Sequence, residues 1–393
     1  MPILAATILN GKVSKLYNVP DISDVKTTIE ILESLGCKVK KDKKKLIIDS
    51  KNMNVTTIPE ELMRKLRSSV IIAGAIISRF GEACFSYPGG CDIGSRPIDL
   101  HLKGFEKLGI KINENTSYIE CKCDKIISTE IHLDFPSVGA TENLILASIL
   151  GNHEVIIKNA AMEPEIIDLI CFLNRMGAKI SGGGSNVIKI RGVDELKDVS
   201  YTIMPDRIEA GTFLLATGIA GGNIKLNKIC TEHISPILHK MRECGCYIKE
   251  ERNSVYLKSN GNLTSTEIKT MPYPGFPTDL QPLFTTFLTA CKGTSIVTEN
   301  IFENRFKFTQ ELKRMGAKIN IEGKTAIIKG VRRLHGANVE STDLRGGAAL
   351  VIAGIAARGI TRVKKIEYIL RGYEGLDKKL NMLGANIIRE EGE

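Results

Sequence analysis

One arrangement of apolar and polar positions recurs six times along the chain. Apolar residues fall at i, i+3, i+4 and i+7, a hydrophobic residue is followed by glycine, and an alternating segment comes next, then a second one. The copies begin at Thr28, Leu100, Ile167, Ile237, Phe308 and Leu376. Their glycines, Gly36, Gly109, Gly177, Gly245, Gly316 and Gly384, are spaced by roughly 70 residues. Each copy predicts an amphipathic helix that buries one stripe, stopped by a glycine in the left-handed region. Alternation at Lys45-LIIDS, Ser117-YIECKC, Asn186-VIKIRG, Ser254-VYLKS and Thr325-AIIKG predicts half-buried strands. A second kind of helix precedes the later five copies, starting near Arg67, Gly139, Ala210, Thr278 and Arg345, and Pro2-ILAATILNG is its counterpart for the first. These segments are apolar nearly all round, which predicts interior helices surrounded by sheets.

The pattern therefore implies an α/β protein of two domains, three copies in each. The boundary is expected near Met204-Pro205-Asp206, giving a first lobe of residues 1–205 and a second of 206–393. The interior helices begin with polar residues: Arg67, Ser137 to Gly139, Asp206 and Arg207, Asp279, and Arg345. Helix N-termini present free N–H groups and a positive dipole end, so an anion-binding cleft between the lobes is expected. The two ends of the chain break the pattern. The first interior helix starts almost at Met1 without the strand and polar entry of its counterparts, and the sixth copy stops after one predicted strand, Ala385-NIIRE. A wrap-around in which an N-terminal strand completes the last repeat accounts for both gaps if one strand and one loop are missing from the front. An upstream in-frame start codon decides that point.

Composition narrows the partners. The 393 residues are 43% hydrophobic and 25% charged, ordinary for a globular protein. Ten cysteines occur without CxxC pairs or a leader segment, which reads as reduced cytoplasmic thiols, and six scattered histidines form no metal-ligand spacing. No apolar run reaches the length of a membrane span. The formal charge of +9 favours anionic partners, but the lysines are dispersed and aromatics are only 5%, so small phosphorylated anions fit better than nucleic acid.

One stretch invites chemistry directly. Tyr87-Pro88-Gly89-Gly90-Cys91-Asp92-Ile93-Gly94-Ser95-Arg96-Pro97 holds three glycines and two prolines, which exclude a stable helix or central strand and predict an exposed loop. Cys91 sits in its middle, with Arg96 five residues on, a charge that favours the thiolate. A glycine-rich turn around an ordinary cysteine is the competing reading.

With repeats and loop in hand, the chain resembles the enolpyruvyl transferases, in particular the branch that acts on UDP-N-acetylglucosamine. The resemblance spans essentially the whole chain. It rests on PILAAT (Pro2 to Thr7), NVPDISDV (Asn18 to Val25), PGGCDIGSRPIDLH (Pro88 to His101), PSVGAT (Pro136 to Thr141), EPEIID (Glu163 to Asp168), PDRIEAGTF (Pro205 to Phe213), FPTDLQ (Phe276 to Gln281), FENRF (Phe302 to Phe306), TDLR (Thr342 to Arg345) and RGYE (Arg371 to Glu374). It implies a pair of inside-out α/β barrels built from six βαβαββ-like repeats. The implied activity is enolpyruvyl transfer from phosphoenolpyruvate to the sugar 3′-hydroxyl with release of phosphate, the first committed step of peptidoglycan synthesis. No cofactor or metal is implied, nor any nucleic-acid or membrane partner.

Residue by residue, the resemblance makes Cys91 the acid and the thiol that fosfomycin alkylates. It makes Asp279 the carboxylate at the 3′-hydroxyl, a base or orienter, with helix N-cap as its plainer alternative. Arg67, Arg96, Arg305, Arg345 and Arg371 are the arginines for phosphate and carboxylate, Arg371 counted with the catalytic set. Arg96-Pro97-Ile98-Asp99-Leu100 corresponds to the nucleotide-contacting stretch, acting through backbone groups. Ser137-Val138-Gly139 corresponds to the diphosphate site, and Ile301 and Phe302 to the wall beside the sugar. Phe135 stands where some members carry lysine, and Glu163 and Glu165 read as caps or inter-segment pairs. The family's Lys-Asn pair ahead of PILAAT has no counterpart here. Competing readings are a homologue that binds the UDP-sugar without turnover, as a regulatory or partner protein, and a shikimate-pathway transferase, which is not expected to carry the PGGC loop.

Overall fold

The computed structural model describes residues 1–87, 89 and 98–390. The chain divides into two compact units, and the division falls between Met204 and Pro205. Each has its own apolar core, one drawn from residues up to Val199 and the other from Ile208 onward. The fold is α/β with mixed sheets.

In the first unit the interior helices are Pro2–Ala6, Ile71–Phe80 and Val138–Ala147, which pack on one another. Val138–Ala147 shows why: every residue from Ala140 to Ala147 is buried, so no face is left for solvent. The amphipathic helices Ser23–Ser34, Asp99–Lys107 and Pro164–Met176 each bury one stripe instead. Sheets of one design accompany them. In the order Val199–Thr202, Val13–Tyr17, Lys45–Asp49, Lys38–Asp42, the first pair is parallel and the others antiparallel, so the last strand of the unit hydrogen-bonds to the first. Thr129–His132, Glu154–Lys158, Val187–Arg191 and Lys179–Ser181 repeat that order. Glu82–Ser86, Tyr118–Lys122 and Lys111–Glu114 form the third sheet.

The second unit repeats the scheme with interior helices Arg207–Ala220, Gln281–Leu288 and Leu344–Ala356, again in mutual contact. Its four-stranded sheet runs Glu267–Lys269, Thr294–Thr298, Thr325–Lys329, Lys318–Glu322, with the same parallel first pair. The six repeat glycines all adopt positive φ, from 85° at Gly109 to 108° at Gly177, where a Cβ would be strained.

Two expectations fail, for local reasons. The first interior helix ends at Ala6 rather than running to Gly11, because Thr7, Ile8 and Leu9 donate to carbonyls three residues back and tighten the chain into 3-10 turns. The predicted strand at 385–390 is not formed. Asn381 holds Ile387 through both amide groups, at 2.7 and 2.8 Å, as Asn174 holds Ile180 in the third copy. Strand Lys179–Ser181 then finds Val187–Arg191 to pair with, whereas no described strand lies alongside residues 385–390.

Candidate functional site

Two of the arginines singled out in the second unit, Arg305 and Arg345, converge on one carboxylate, that of Asp279. Asp279 lies in the 3-10 turn Thr278–Leu280 that leads into helix Gln281–Leu288. The N-cap position of that helix is Leu280, with no side-chain cap, so the capping alternative for Asp279 gives way to another arrangement. Arg305 Nη2 donates to Asp279 Oδ1 at 2.8 Å and to the carbonyl of Thr278 at 3.3 Å. Arg345 donates to Oδ2 from Nε at 3.1 Å and from Nη2 at 3.0 Å. Two planar forks thus fix the carboxylate in both position and rotation.

Both guanidiniums are nearly withdrawn from water, the Arg305 side chain 2% and that of Arg345 11% exposed, while Asp279 keeps 38%. The Arg305 charge is shared with Asp343, whose Oδ1 lies 3.9 Å from Nη1, and its face covers the Phe302 ring at 5.6 Å. Burial is the largest single influence on Arg345 and would lower its pKa, but Asp279, Tyr373 and Asp206 together outweigh it and the net shift is upward, so the cation persists. Arg345 lies 5.3 Å from the ring of buried Tyr373, whose hydroxyl is 2.8 Å from Thr212 Oγ1. Arg305 and Arg345, expected as anion clamps for substrate, therefore spend their donors on the protein's own carboxylate. Arg305 Nε and Arg345 Nη1 are the exceptions, both buried without a hydrogen-bond partner. Arg371 follows helix Glu367–Leu370, two residues before Tyr373.

Asp343 was missed by sequence reasoning although TDLR was noted. It caps helix Leu344–Ala356 through Oδ1, accepting from the N–H groups of Arg345 and Gly346 at 3.0 and 3.1 Å. An aspartate directly before an apolar glycine-rich run is the N-cap signal that could have found it.

In the first unit the segments expected to meet nucleotide and diphosphate are described from Ile98 onward. Ile98 is buried at the N-cap position of helix Asp99–Lys107. Asp99 is exposed and 3.9 Å from Lys103, and Leu100 is half-buried. Ser137 caps helix Val138–Ala147, its Oγ accepting from Ala140 N at 3.3 Å. The two segments meet through His101, a residue sequence reasoning passed over. Asn143 Nδ2 is 2.9 Å from His101 Nδ1 and also donates to the Val70 carbonyl at 3.1 Å, while a Cβ on Gly139 would stand 3.4 Å from the imidazole Cε1. Burial pushes the His101 pKa down to about 4, so the ring is neutral, and Nδ1, facing an amide donor, leaves the proton on Nε2.

Cys91, Arg96 and Pro97 lie outside the described residues, and of Arg67 only the backbone is described, opening the 3-10 turn Arg67–Val70. Glu163 occupies the N-cap position of Pro164–Met176 without a side-chain cap, Glu165 falls in its first turn, and Phe135 is 43% exposed. Among the described residues there is no cluster suited to a metal ion, and the nine cysteines are free thiols.

Comparison with known proteins adds to this geometry. The family described as EPSP synthase (3-phosphoshikimate 1-carboxyvinyltransferase) matches residues 1–380. A relative from Caldanaerobacter subterraneus subsp. tengcongensis, named UDP-N-acetylglucosamine 1-carboxyvinyltransferase 2, is 52% identical over 390 residues, covering 99% of this chain and 94% of its own length. UDP-N-acetylglucosamine 1-carboxyvinyltransferase of Finegoldia magna is 48% identical over 397 residues, covering 100% and 94%. Among solved structures, the enolpyruvyl transferase NikO from Streptomyces tendae superposes with a TM-score of 0.88 at 21% identity, covering 98% of this chain and 92% of the other. EPSP synthase from Acinetobacter baumannii gives 0.73 at 16%, covering 98% and 93%.

Proposed function

The chain belongs to the enolpyruvyl transferase family described as EPSP synthase, and on that premise we propose that it transfers the enolpyruvyl group of phosphoenolpyruvate to the 3′-hydroxyl of UDP-N-acetylglucosamine, releasing phosphate. This is the first committed step of peptidoglycan synthesis. The acceptor is supported by 46–52% identity to relatives named for that substrate over nearly the full chain, against 16% to a solved EPSP synthase. The chemistry rests on one observation: Asp279 is partly open to solvent while both its oxygens are held by buried arginines. Each unit is read as an inside-out α/β barrel, interior helices wrapped by sheets, with residues 1–205 and 206–393 as the two lobes.

The reaction needs a proton delivered to C3 of the enol, which makes C2 electrophilic and oxocarbenium-like. The Cys91 thiol supplies that proton. The sugar 3′-oxygen then bonds to C2 as its own proton passes to Asp279, giving a tetrahedral adduct. Loss of a C3 proton regenerates the double bond and expels phosphate. Arg67, Arg96 and Arg371 are the cations assigned to the phosphate and carboxylate, and Arg305 and Arg345 serve by keeping Asp279 aimed. The backbone of Arg96 to Leu100 holds the nucleoside, Ser137 to Gly139 the diphosphate at a helix N-terminus, and Ile301 and Phe302 the sugar. Free thiols fit a reducing cytoplasm, and among the described residues no helix is long and apolar enough to cross a membrane.

Phosphate release from phosphoenolpyruvate tests the reading, with UDP-N-acetylglucosamine or shikimate 3-phosphate as acceptor. Release with the first alone is expected; release with the second alone overturns it. Fosfomycin is expected to add its mass to the Cys91 peptide and stop turnover, as checked by peptide mass spectrometry. Full activity with Cys91 unlabelled removes the thiol from the acid's role.

A further inference from the structure

Glu299 is 1% exposed, and four uncharged donors surround its carboxylate. Oε1 accepts from Thr270 Oγ1 at 2.8 Å, from the N–H of Ile301 at 2.8 Å and from the N–H of Phe302 at 3.1 Å. Oε2 accepts from Thr278 Oγ1 at 3.0 Å. The same threonine that binds Oε1 is itself held twice, its hydroxyl accepting from Asn300 N at 2.9 Å and its carbonyl from Asn300 Nδ2 at 3.1 Å. A buried carboxylate survives in such a setting only when its lone pairs are satisfied. Here satisfaction has a spatial consequence, because the donors come from three separate segments.

The first is the end of strand Glu267–Lys269, through Thr270. Another is the turn after strand Thr294–Thr298, which carries Ile301 and Phe302. The last is the 3-10 turn Thr278–Leu280, which carries Asp279 beside Thr278. Arg305 closes the circuit from the other side, bonding Thr278 O and Asp279 while Phe302 covers its face.

We propose that Glu299 is a positioning residue for enolpyruvyl transfer: its carboxylate sets the spacing between the Ile301–Phe302 wall and the turn that presents Asp279. The inference rests on the roles given to Ile301, Phe302 and Asp279 under the proposed function. Glu299 itself touches neither substrate. Its effect is on alignment, to which proton transfer is far more sensitive than binding, since a misplacement near 1 Å can lower a rate about 100-fold. The bond to Thr278 is the only one of the four that reaches the Asp279 turn. Its loss should therefore slow chemistry while sugar-nucleotide binding is retained.

The test uses the full-length protein with three variants. Glu299→Gln keeps size but exchanges one acceptor for a donor, Thr278→Val removes only the crossing hydroxyl, and Thr278→Ser returns it. For the first two, kcat for phosphate release is expected to fall about 10- to 100-fold. The Kd for UDP-N-acetylglucosamine, from titration calorimetry, should change less than about threefold, and Thr278→Ser should recover most of the rate. Unchanged kcat in Glu299→Gln and Thr278→Val overturns the proposal. So does a loss of kcat matched by an equal loss of sugar-nucleotide affinity and of folded protein, which is the mark of a purely structural residue. Absence of turnover in the wild type counts against the proposed function; wild-type turnover that both variants retain counts against Glu299 alone.

Discussion

Asp279 carries its charge at the edge of a buried cationic pair, and the neighbouring residues decide how far that charge can move. Arg305 is locked by Thr278, Asp279 and the Phe302 ring, and Arg345 by its own helix cap and by Tyr373. In the other unit His101 illustrates burial acting on a neutral group. Its folded pKa of about 4 lies below the unfolded 6.5, so between those values the unfolded chain binds more protons and stability falls as pH drops from 6.5 to 4. The full effect is about 3 kcal/mol. Denaturant unfolding of wild type and His101→Gln across that range checks it: the wild type's advantage is expected to shrink as pH falls, and a constant difference would contradict the burial argument. Neither His101 nor Glu299 could be recognised from sequence, because a lone histidine on a helix and a lone glutamate after a strand acquire meaning only from Asn143 and Thr278, which are distant in the chain.

At the scale of elements, the interior helices approach closely where glycine permits it. Gly74 of Ile71–Phe80 faces Asn143 of Val138–Ala147, with its N–H donating to Asn143 Oδ1 at 2.9 Å, and an added Cβ would collide with both that oxygen and the Asn143 carbonyl. Gly74→Ala must separate the helices, at a cost of about 1–3 kcal/mol. A lowered midpoint in chemical denaturation is expected, and an unchanged midpoint would show that the contact is slack. The repeat itself was legible in sequence, since helix stripe, left-handed glycine and alternating strand are all local signals, as at Gly177 followed by Lys179–Ser181 and Val187–Arg191. What was not legible depends on pairing. Residues 385–390 alternate as a strand should, yet a strand exists only where another lies beside it, and Thr7 ends the first interior helix by a side-chain bond to Leu4 that no periodicity reveals.

For the whole molecule, a formal charge of +9 and two polyanionic substrates make encounter an electrostatic event. Raising ionic strength from about 0.01 to 0.15 M shortens the screening length from about 30 to 8 Å, so kcat/KM for phosphoenolpyruvate is expected to fall while kcat holds. A kcat/KM indifferent to salt would show that the basic excess plays no part in capture. The family was readable from ten motifs in order, whereas the use of Arg305 and Arg345 as holders of Asp279 was not, because sequence marks an arginine without showing which anion it meets. The central claim is that Asp279 takes the proton of the sugar hydroxyl during enolpyruvyl transfer. Its most direct test is the yield of enolpyruvyl-UDP-N-acetylglucosamine, followed by mass spectrometry alongside phosphate, in wild type and Asp279→Asn. One product per phosphate is expected from the wild type, with a rate at least about 100-fold lower in the variant and sugar-nucleotide binding retained; equal product yields and rates from the two proteins would contradict the account.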